Sequence, residues 1–234
     1  MALLGNAAMV AWHNLAPGKE SDHDEWHARE HLFERVAIPG FRRGRRCRST
    51  HGNEAYFLMY EVDSLATLTS SAYRERLNDP TSWSQQIIPT ICDMTRTLCR
   101  IEASQSRGLG THLLTIRLTA NPDQREHLVG WLTNLVLAEL HTHTGITGAH
   151  LLRGDAEASG EPTDEMRLRG GGDRCADLIL LVEAYQSAVL ESLTGGPLAT
   201  PQLLEHGANN TCQVGLYRVA QIVSEADLDQ NSSA

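Results

Sequence analysis

Three histidines, His23, His27 and His31, recur at four-residue intervals in the stretch DHDEWHAREHLFERV. On a helix that spacing stacks the imidazoles along one face, and imidazole is the side chain whose ordinary pKa lies closest to neutrality. Such a column can move protons, or an i, i+4 pair of it can share a metal ion. A metal would need a third ligand, with His23 or Glu30 the candidates, but the chain lacks HExxH, and no metal is expected. Nearby stand His13, which follows Trp12, and Tyr56 and Tyr60 in AYFLMYEV. Strand side chains alternate, so only one of Trp12 and His13 can face a given cavity, whereas Tyr56 and Tyr60 share a face. A cavity-lining phenol can donate to a carbonyl or an enolate. Arg42, Arg43, Arg45, Arg46 and Arg48 crowd the next stretch. On a strand, Arg42, Arg46 and Arg48 share one face, and the guanidinium fork suits a substrate carboxylate.

Each group also has a simpler reading. With Trp26 at zero and about 100° per residue, Phe33, Val36, Leu32 and Ala37 gather around Trp26, while His27 and His31 fall nearly opposite, among Glu30, Glu34 and Arg35. If the apolar stripe packs on its own sheet, the histidines face solvent, unless the other half of the chain or the segment 155–173 supplies a second wall. The arginines then protect an edge strand, the tyrosines pack in a sheet, and His141, His143 and His150 sit at a helix C-terminus where cationic imidazole is favoured.

The elements that must hold these residues repeat. In the first half a strand (8–14), the histidine helix (22–36), a strand through IPGFRRGRR, the strand AYFLMYEV, a helix (64–77) and the strand TRTLCRIEA follow one another. The second half repeats the order with HLLTIRLTA, a helix (122–140), GITGAHLLRG, ADLILLVEAY, a helix (186–193) and VGLYRVAQIV. Gly40 aligns with Gly148 and Arg100 with Arg218, which sets His27 against Leu135 and His31 against Glu139. The doubled β-α-β-β-α-β order predicts an α+β fold of tandem ferredoxin-like units, whose uncovered sheet faces cover each other as an α+β barrel. The units are expected at 1–104 and 111–223, joined by a linker at 105–110. Residues 155–173, rich in glycine and acid, are expected to form a mobile loop, and residues 224–234 a disordered tail.

Composition narrows the function. A net charge of −9 opposes broad affinity for nucleic acid or an anionic membrane. No apolar run approaches the roughly 20 residues of a membrane span, and the start lacks a signal-peptide pattern. Five scattered cysteines without a CxxC pair fit a reducing compartment, so a cytoplasmic location is expected. There is no GxSxG elbow, and Gly170–Gly172 lacks the context of a phosphate loop.

The run W-H-x-x-E-H on a helix that leads through IPGF into the second strand resembles the dimeric α+β barrel superfamily, and within it the EthD-like proteins. The resemblance is motif-specific over 26–46, covers mainly 8–101, and reaches the second half by architecture alone. It makes His31 the match to the family's helix histidine. It also implies a family of mixed activity, spanning cofactor-independent monooxygenases, isomerases, cyclases, decarboxylases, haem enzymes and members without known activity.

The expected protein is therefore a cofactor-independent acid/base enzyme of lyase, isomerase or cyclase type, acting on a small carbonyl- or carboxylate-bearing molecule. His31 is the base or acid, His27 or His13 its partner, Tyr56 or Tyr60 the oxyanion donor, and Arg42 or Arg46 the carboxylate anchor, with Trp26 and Trp12 in the binding wall. The rival readings are a cofactor-independent or haem- or metal-dependent monooxygenase on the same fold, and a non-catalytic binding protein. No nucleic-acid or membrane partner is expected, and a free barrel edge would permit a homodimer.

Overall fold

A computed structural model describes residues 3–231 of the chain. Its eight strands close into one antiparallel barrel in the order β1-β3-β2-β8-β5-β7-β6-β4. In the first half these are β1 (Ala7–Leu15), β2 (Phe41–His51), β3 (Tyr56–Val62) and β4 (Ile91–Ser106). In the second they are β5 (His112–Leu118), β6 (Ile146–Gly154), β7 (Leu178–Ala184) and β8 (Gln213–Ser224). Each half has the ferredoxin-like order 4-1-3-2, and β2 with β8 and β4 with β6 zip the halves together. The doubled unit and the barrel are as the sequence predicts. The closed ring leaves no sheet edge, which corrects two expectations: β2 is flanked on both sides and needs no edge protection, and no free edge remains for a homodimer to pair through.

The barrel interior is packed by alternate residues of all eight strands, including Val10, Trp12, Phe57, Met59, Leu152, Leu181 and Tyr217. The opposite faces carry the helices. On the first half, α1 (Glu20–Trp26) runs through a π turn (His27–His31) into α2 (Leu32–Val36), and α3 (Ser71–Asn78) and α4 (Ser82–Ile87) follow β3. On the second half, α5 (Arg125–Ala138) covers the sheet with Leu128, Leu132 and Val136.

Three organisational expectations are corrected. Residues 155–168, expected within a mobile loop, form α6 (Ala156–Ser159) and α7 (Asp164–Leu168), and only 169–173 remain irregular beyond them. Asp155 accepts from the Ala158 amide and Thr163 from the Met166 amide, a side-chain cap that satisfies otherwise orphaned donors at each helix start. The linker begins later than expected, because Gln105 and Ser106 still pair with β6. After α8 (Ser187–Thr194) and α9 (Thr200–Glu205), the chain beyond Ser224 continues as α10 (Glu225–Asn231) where disorder was expected; residues 232–234 lie outside the described residues.

The repeat offset also needs correction. Gly40 and Gly145 each stand just before a strand with positive φ, 87° and 94°, a region open to glycine. They are the true counterparts, and Gly148 lies inside β6. Ala7 matches His112 and Phe41 matches Ile146, an offset of 105 residues.

Candidate functional site

The histidine helix presents a face that an ideal helix would not. Each four-residue step overshoots a whole turn by about 40°, so His23, His27, His31 and Arg35 ought to drift around the axis and out of the interface. The π turn at His27–His31 takes up one extra residue and rotates the helix beyond it back by up to about 100°. The drift is cancelled, and His23, His27, His31, Arg35 and Trp26 are all buried together against the sheet. This overturns the solvent-facing reading of the histidines, which rested on an uninterrupted α-helix.

The sheet supplies the floor. Trp12 points into the barrel, where its indole donates to Thr115 Oγ1 over 3.1 Å, so His13 is the residue that faces the helix. This removes Trp12 from the expected binding wall. His13 Nε2 lies 3.2 Å from His23 Nε2, and His23 Nδ1 lies 3.4 Å from Asp24 at the partly exposed edge. The Tyr60 hydroxyl is 3.5 Å from His27 Nε2, and the rings of Trp26 and His31 meet at 4.2 Å. Gly44 makes room for this arrangement: a Cβ there would come within 2.7 Å of Leu32 and 2.9 Å of the Tyr60 ring.

The second half supplies the lid. Glu165 of α7 pairs with Arg35, and Arg169, held by Asp173 at 2.7 Å, closes the wall beside Ile91 and Met94. These residues, with His13, His23, Trp26, His27, His31, Tyr60, Tyr73 and Arg96, enclose a cavity of about 40 Å³. That volume holds roughly three waters at about 10–15 Å³ each. Arg169, Ile91 and Met94 also border an outer cleft walled by Gly170–Gly172.

Burial dominates the electrostatics. His13, His27 and His31 are held well below the usual imidazole range, first by burial and then by neighbouring cationic groups. His23 is also lowered by burial, against the pull of Asp24. Burial pushes Asp24 up, but the hydrogen bond from His23 and the charges of Arg46 and Arg48 outweigh it, so its carboxyl lies below the ordinary value. Tyr60 is raised by burial. The site therefore holds four neutral imidazoles and a protonated phenol at neutral pH. His13 Nδ1, His27 Nδ1, His31 Nδ1 and Arg35 Nη1 are buried without a hydrogen-bond partner.

Other expected site residues fall elsewhere. Arg42 is on the surface, bound to Asp63 and Glu225, because a bulge between Phe41 and Arg43 turns it out of the register that would have brought it to the helix. Arg43 and Arg45 point into the barrel to Glu61 and Glu183. Arg46 and Arg48 both grip Asp24, so Arg46 braces the His23 end and does not line the cavity. Tyr56 lies stacked under His13 at 4.9 Å and takes a hydrogen bond from Arg48. His150 faces the barrel interior, bonded to Ser104. Sequence reasoning missed Tyr73, Arg96, Glu165 and Arg169, which reach the cavity from distant elements. Arg35 was assigned to the wrong face.

The second half is an internal control. At the corrected offset His13, His23, His27, His31 and Arg35 correspond to Leu118, Leu128, Leu132, Val136 and Leu140, all buried in one apolar core. The strand registers likewise match Tyr60 with Val182 and Arg96 with Val214. Trp26 alone keeps its type, as Trp131. The fold thus needs none of the polar groups of the first half. Among the described residues no three His, Cys, Asp or Glu side chains converge where a metal ion could sit. Haem, which the sequence resemblance brings in, is far larger than the cavity of about 40 Å³ as it stands. No described helix is long and apolar enough to cross a membrane.

No protein-family model and no curated protein sequence matches the chain. Solved structures do. An anthrone oxidase-like protein superposes with a TM-score of 0.65 at 9% identity, over 96% of this chain and 95% of its own. A candidate monooxygenase of Fusobacterium nucleatum gives 0.62 at 7% identity, over 95% and 96%. A candidate chlorite dismutase gives 0.52 at 12%, over 94% and 96%. Likeness at these identities speaks for fold, not reaction, and with the closed ring of eight strands it shows that the chain has the dimeric α+β barrel fold, with both halves in one polypeptide.

Proposed function

We propose that this cavity is the active site of an enzyme that removes a proton from a small, acidic carbon and passes the carbanion to dioxygen without a resident cofactor. The observation that carries the reading is the column of buried, neutral, partly unpartnered imidazoles beside the Tyr60 hydroxyl, at positions where the second half has only leucine and valine. Unpaired buried polar groups cost free energy, and a fold that can do without them keeps them for a task.

The geometry supports one set of roles within this reading. His31, beside Trp26, is the base, and His27 and Tyr60 form a donor pair for the developing enolate oxygen. His13 and His23 lead from the cavity to Asp24 at its exposed edge, a route for protons to solvent. An imidazole with a lowered pKa is free to accept a proton at neutral pH but is a weak base, so the substrate's C–H must itself be acidic, as next to a carbonyl and an aromatic ring or between two carbonyls. The carbanion gives its electron pair to dioxygen, the imidazolium returns the proton to the peroxide, and loss of water leaves a ketone. The net change turns one methylene group and one dioxygen molecule into one ketone carbonyl and one water, which needs no further reductant.

The burial of the cavity, which limits the water that reaches a carbanion, supports this fate over simple reprotonation, and the names of two proteins of the same fold, an anthrone oxidase-like protein and a candidate monooxygenase, suggest the reaction class to be tested. Entry of a substrate larger than the present cavity requires the Arg169–Asp173 stretch to move, and open space lies beside it, since a side chain built at Gly170, Gly171 or Gly172 would meet nothing within 4 Å.

The test is oxygen uptake with anthrone and with acetylacetone, beside deuterium exchange at the same carbons. The expected result is uptake that falls at least about a hundredfold in His31→Gln and His27→Gln and is unchanged in the remote Arg42→Ala. Deuterium exchange without oxygen uptake would favour the isomerase or lyase reading. Uptake that survives both histidine variants would remove the site assignment.

A further inference from the structure

The cavity wall holds one guanidinium that makes no salt bridge. Its charged groups are Arg35, Arg96, Arg169 and Glu165, with Asp173 and Glu34 directly behind them. Arg35 pairs with Glu165, and Arg169 with Asp173. Glu34 faces His31 at 3.7 Å and Arg76 at 3.3 Å from the solvent side. Among the described residues Arg96 makes no salt bridge, although the charges of Asp173 and Glu165 reach it. It is 8% exposed, and its hydrogen bond is to the Tyr73 hydroxyl at 3.0 Å. It projects from β4 beside Ala11 onto the same sheet face as His13. Arg35 Nη1 is also buried and unpartnered.

A buried guanidinium without a counter-ion is expensive, and the fold does not require this one, since its register counterpart in the second half is Val214. We propose that Arg96, with the free Nη1 of Arg35 and the Tyr73 hydroxyl, is an anion subsite. The ligand it takes is a small organic monoanion, held by its carboxylate against Arg96 while its acidic carbon faces His31. Arg96 offers a single unpaired guanidinium fork, which suits one carboxylate over a neutral group. This assignment deepens the reading given above and rests on it for the identity of the ligand as a substrate. Arg96 then replaces Arg42 and Arg46 as the carboxylate anchor expected from the sequence.

Acetate is small enough for the closed cavity, and acetamide is its neutral isostere. Both are titrated into the full-length, 15N-labelled protein at neutral pH, with a bulky buffer anion supplying the ionic strength and the arginine Nε–H resonances as readout. The expected result is saturable movement of the Arg96 and Arg35 signals with acetate and none with acetamide. In Arg96→Gln, acetate affinity should fall about tenfold to a hundredfold, the range of a charge-assisted hydrogen bond, with Arg96→Lys recovering part of it. Equal responses to acetate and acetamide, absence of acetate binding to the unaltered protein up to about 100 mM, or undiminished binding in Arg96→Gln each overturns the subsite. If Arg96→Gln does not fold, the contrast between acetate and acetamide in the unaltered protein decides. Acetate binding through Arg96 in a protein that turns over no carbon acid would leave the subsite standing and sink the oxygenase reading. Turnover of a carboxylate-bearing carbon acid such as phenylpyruvate that is lost in His31→Gln but has a KM indifferent to Arg96→Gln would do the reverse.

Discussion

Acid should destabilise this protein through its histidines before most of its carboxylates titrate. His13, His27 and His31 are buried with pKa values held well below 6.5, while the unfolded chain restores them to about 6.5. The unfolded state therefore binds more protons as pH falls, so stability from these groups is fully present above pH 6.5 and is lost below it. Between about pH 7.5 and 5.5, an imidazole that stays neutral when folded and titrates normally when unfolded costs about 1.4 kcal/mol. Three together cost about 4 kcal/mol, and His23, lowered less strongly, adds to this. That is a large part of the 5–15 kcal/mol typical of a domain. Glu34 works in the opposite sense, since burial raises its carboxyl pKa and the folded form takes its proton first, but it is a single group. The assay is urea unfolding followed by tryptophan fluorescence across that range. The control is the variant that carries the second half's residues, His13→Leu, His27→Leu and His31→Val. It should lose most of the pH dependence and exceed the parent in stability at the acid end. A parent whose unfolding free energy changes by less than about 1 kcal/mol over this range would refute the reasoning, because it would mean that the three rings titrate alike in both states.

Two further outcomes test the scaffold. Arg35→Met or Glu165→Gln alone should destabilise the protein by about 3–5 kcal/mol, since each strands a buried partner, whereas the joint change to Met and Leu should cost much less than the sum; additive losses in chemical denaturation would contradict a desolvated pair. Gly44→Ala should cost about 1–3 kcal/mol by overpacking, as its methyl meets Leu32 and Tyr60; because Tyr60 must move, oxygen uptake should fall more than stability, and an unaffected rate would show that Tyr60 is not in the reaction.

Much of the fold was legible, because it rests on patterns that repeat within short windows. Short, near-continuous apolar runs in AYFLMYEV and LILLVEAY, and glycine before β2 and β6, announce the strands whatever surrounds them. The doubled order then leaves few ways to cover two apolar sheet faces. The site was legible only by residue type. A wheel drawn at 100° per residue cannot show the π turn at His27–His31, and so put the histidines and Arg35 on the wrong face. The bulge after Phe41 is equally invisible in FRRGRR, and it separates Arg42 from the chemistry. The register that sends His13 outward and Trp12 inward depends on β3 and β4. Arg96, Glu165 and Arg169 come from elements 60 to 140 residues from the histidine helix, and no local spacing connects them. One signal was available. The offset of 105 residues, taken from the strand starts rather than from Gly148, sets every histidine of the column against an apolar residue and so marks the column as an addition to the fold.

The central claim is that the imidazoles of the first half stand neutral in a buried cavity, with ring nitrogens left free of hydrogen bonds and ready to accept a proton. Histidine 15N and 13C resonances recorded from about pH 8 to pH 6 test it without knowledge of the substrate. The account predicts that His13, His27 and His31 keep the shifts of neutral rings throughout. Rings that take up protons at about pH 6.5, as free imidazole does, would contradict it.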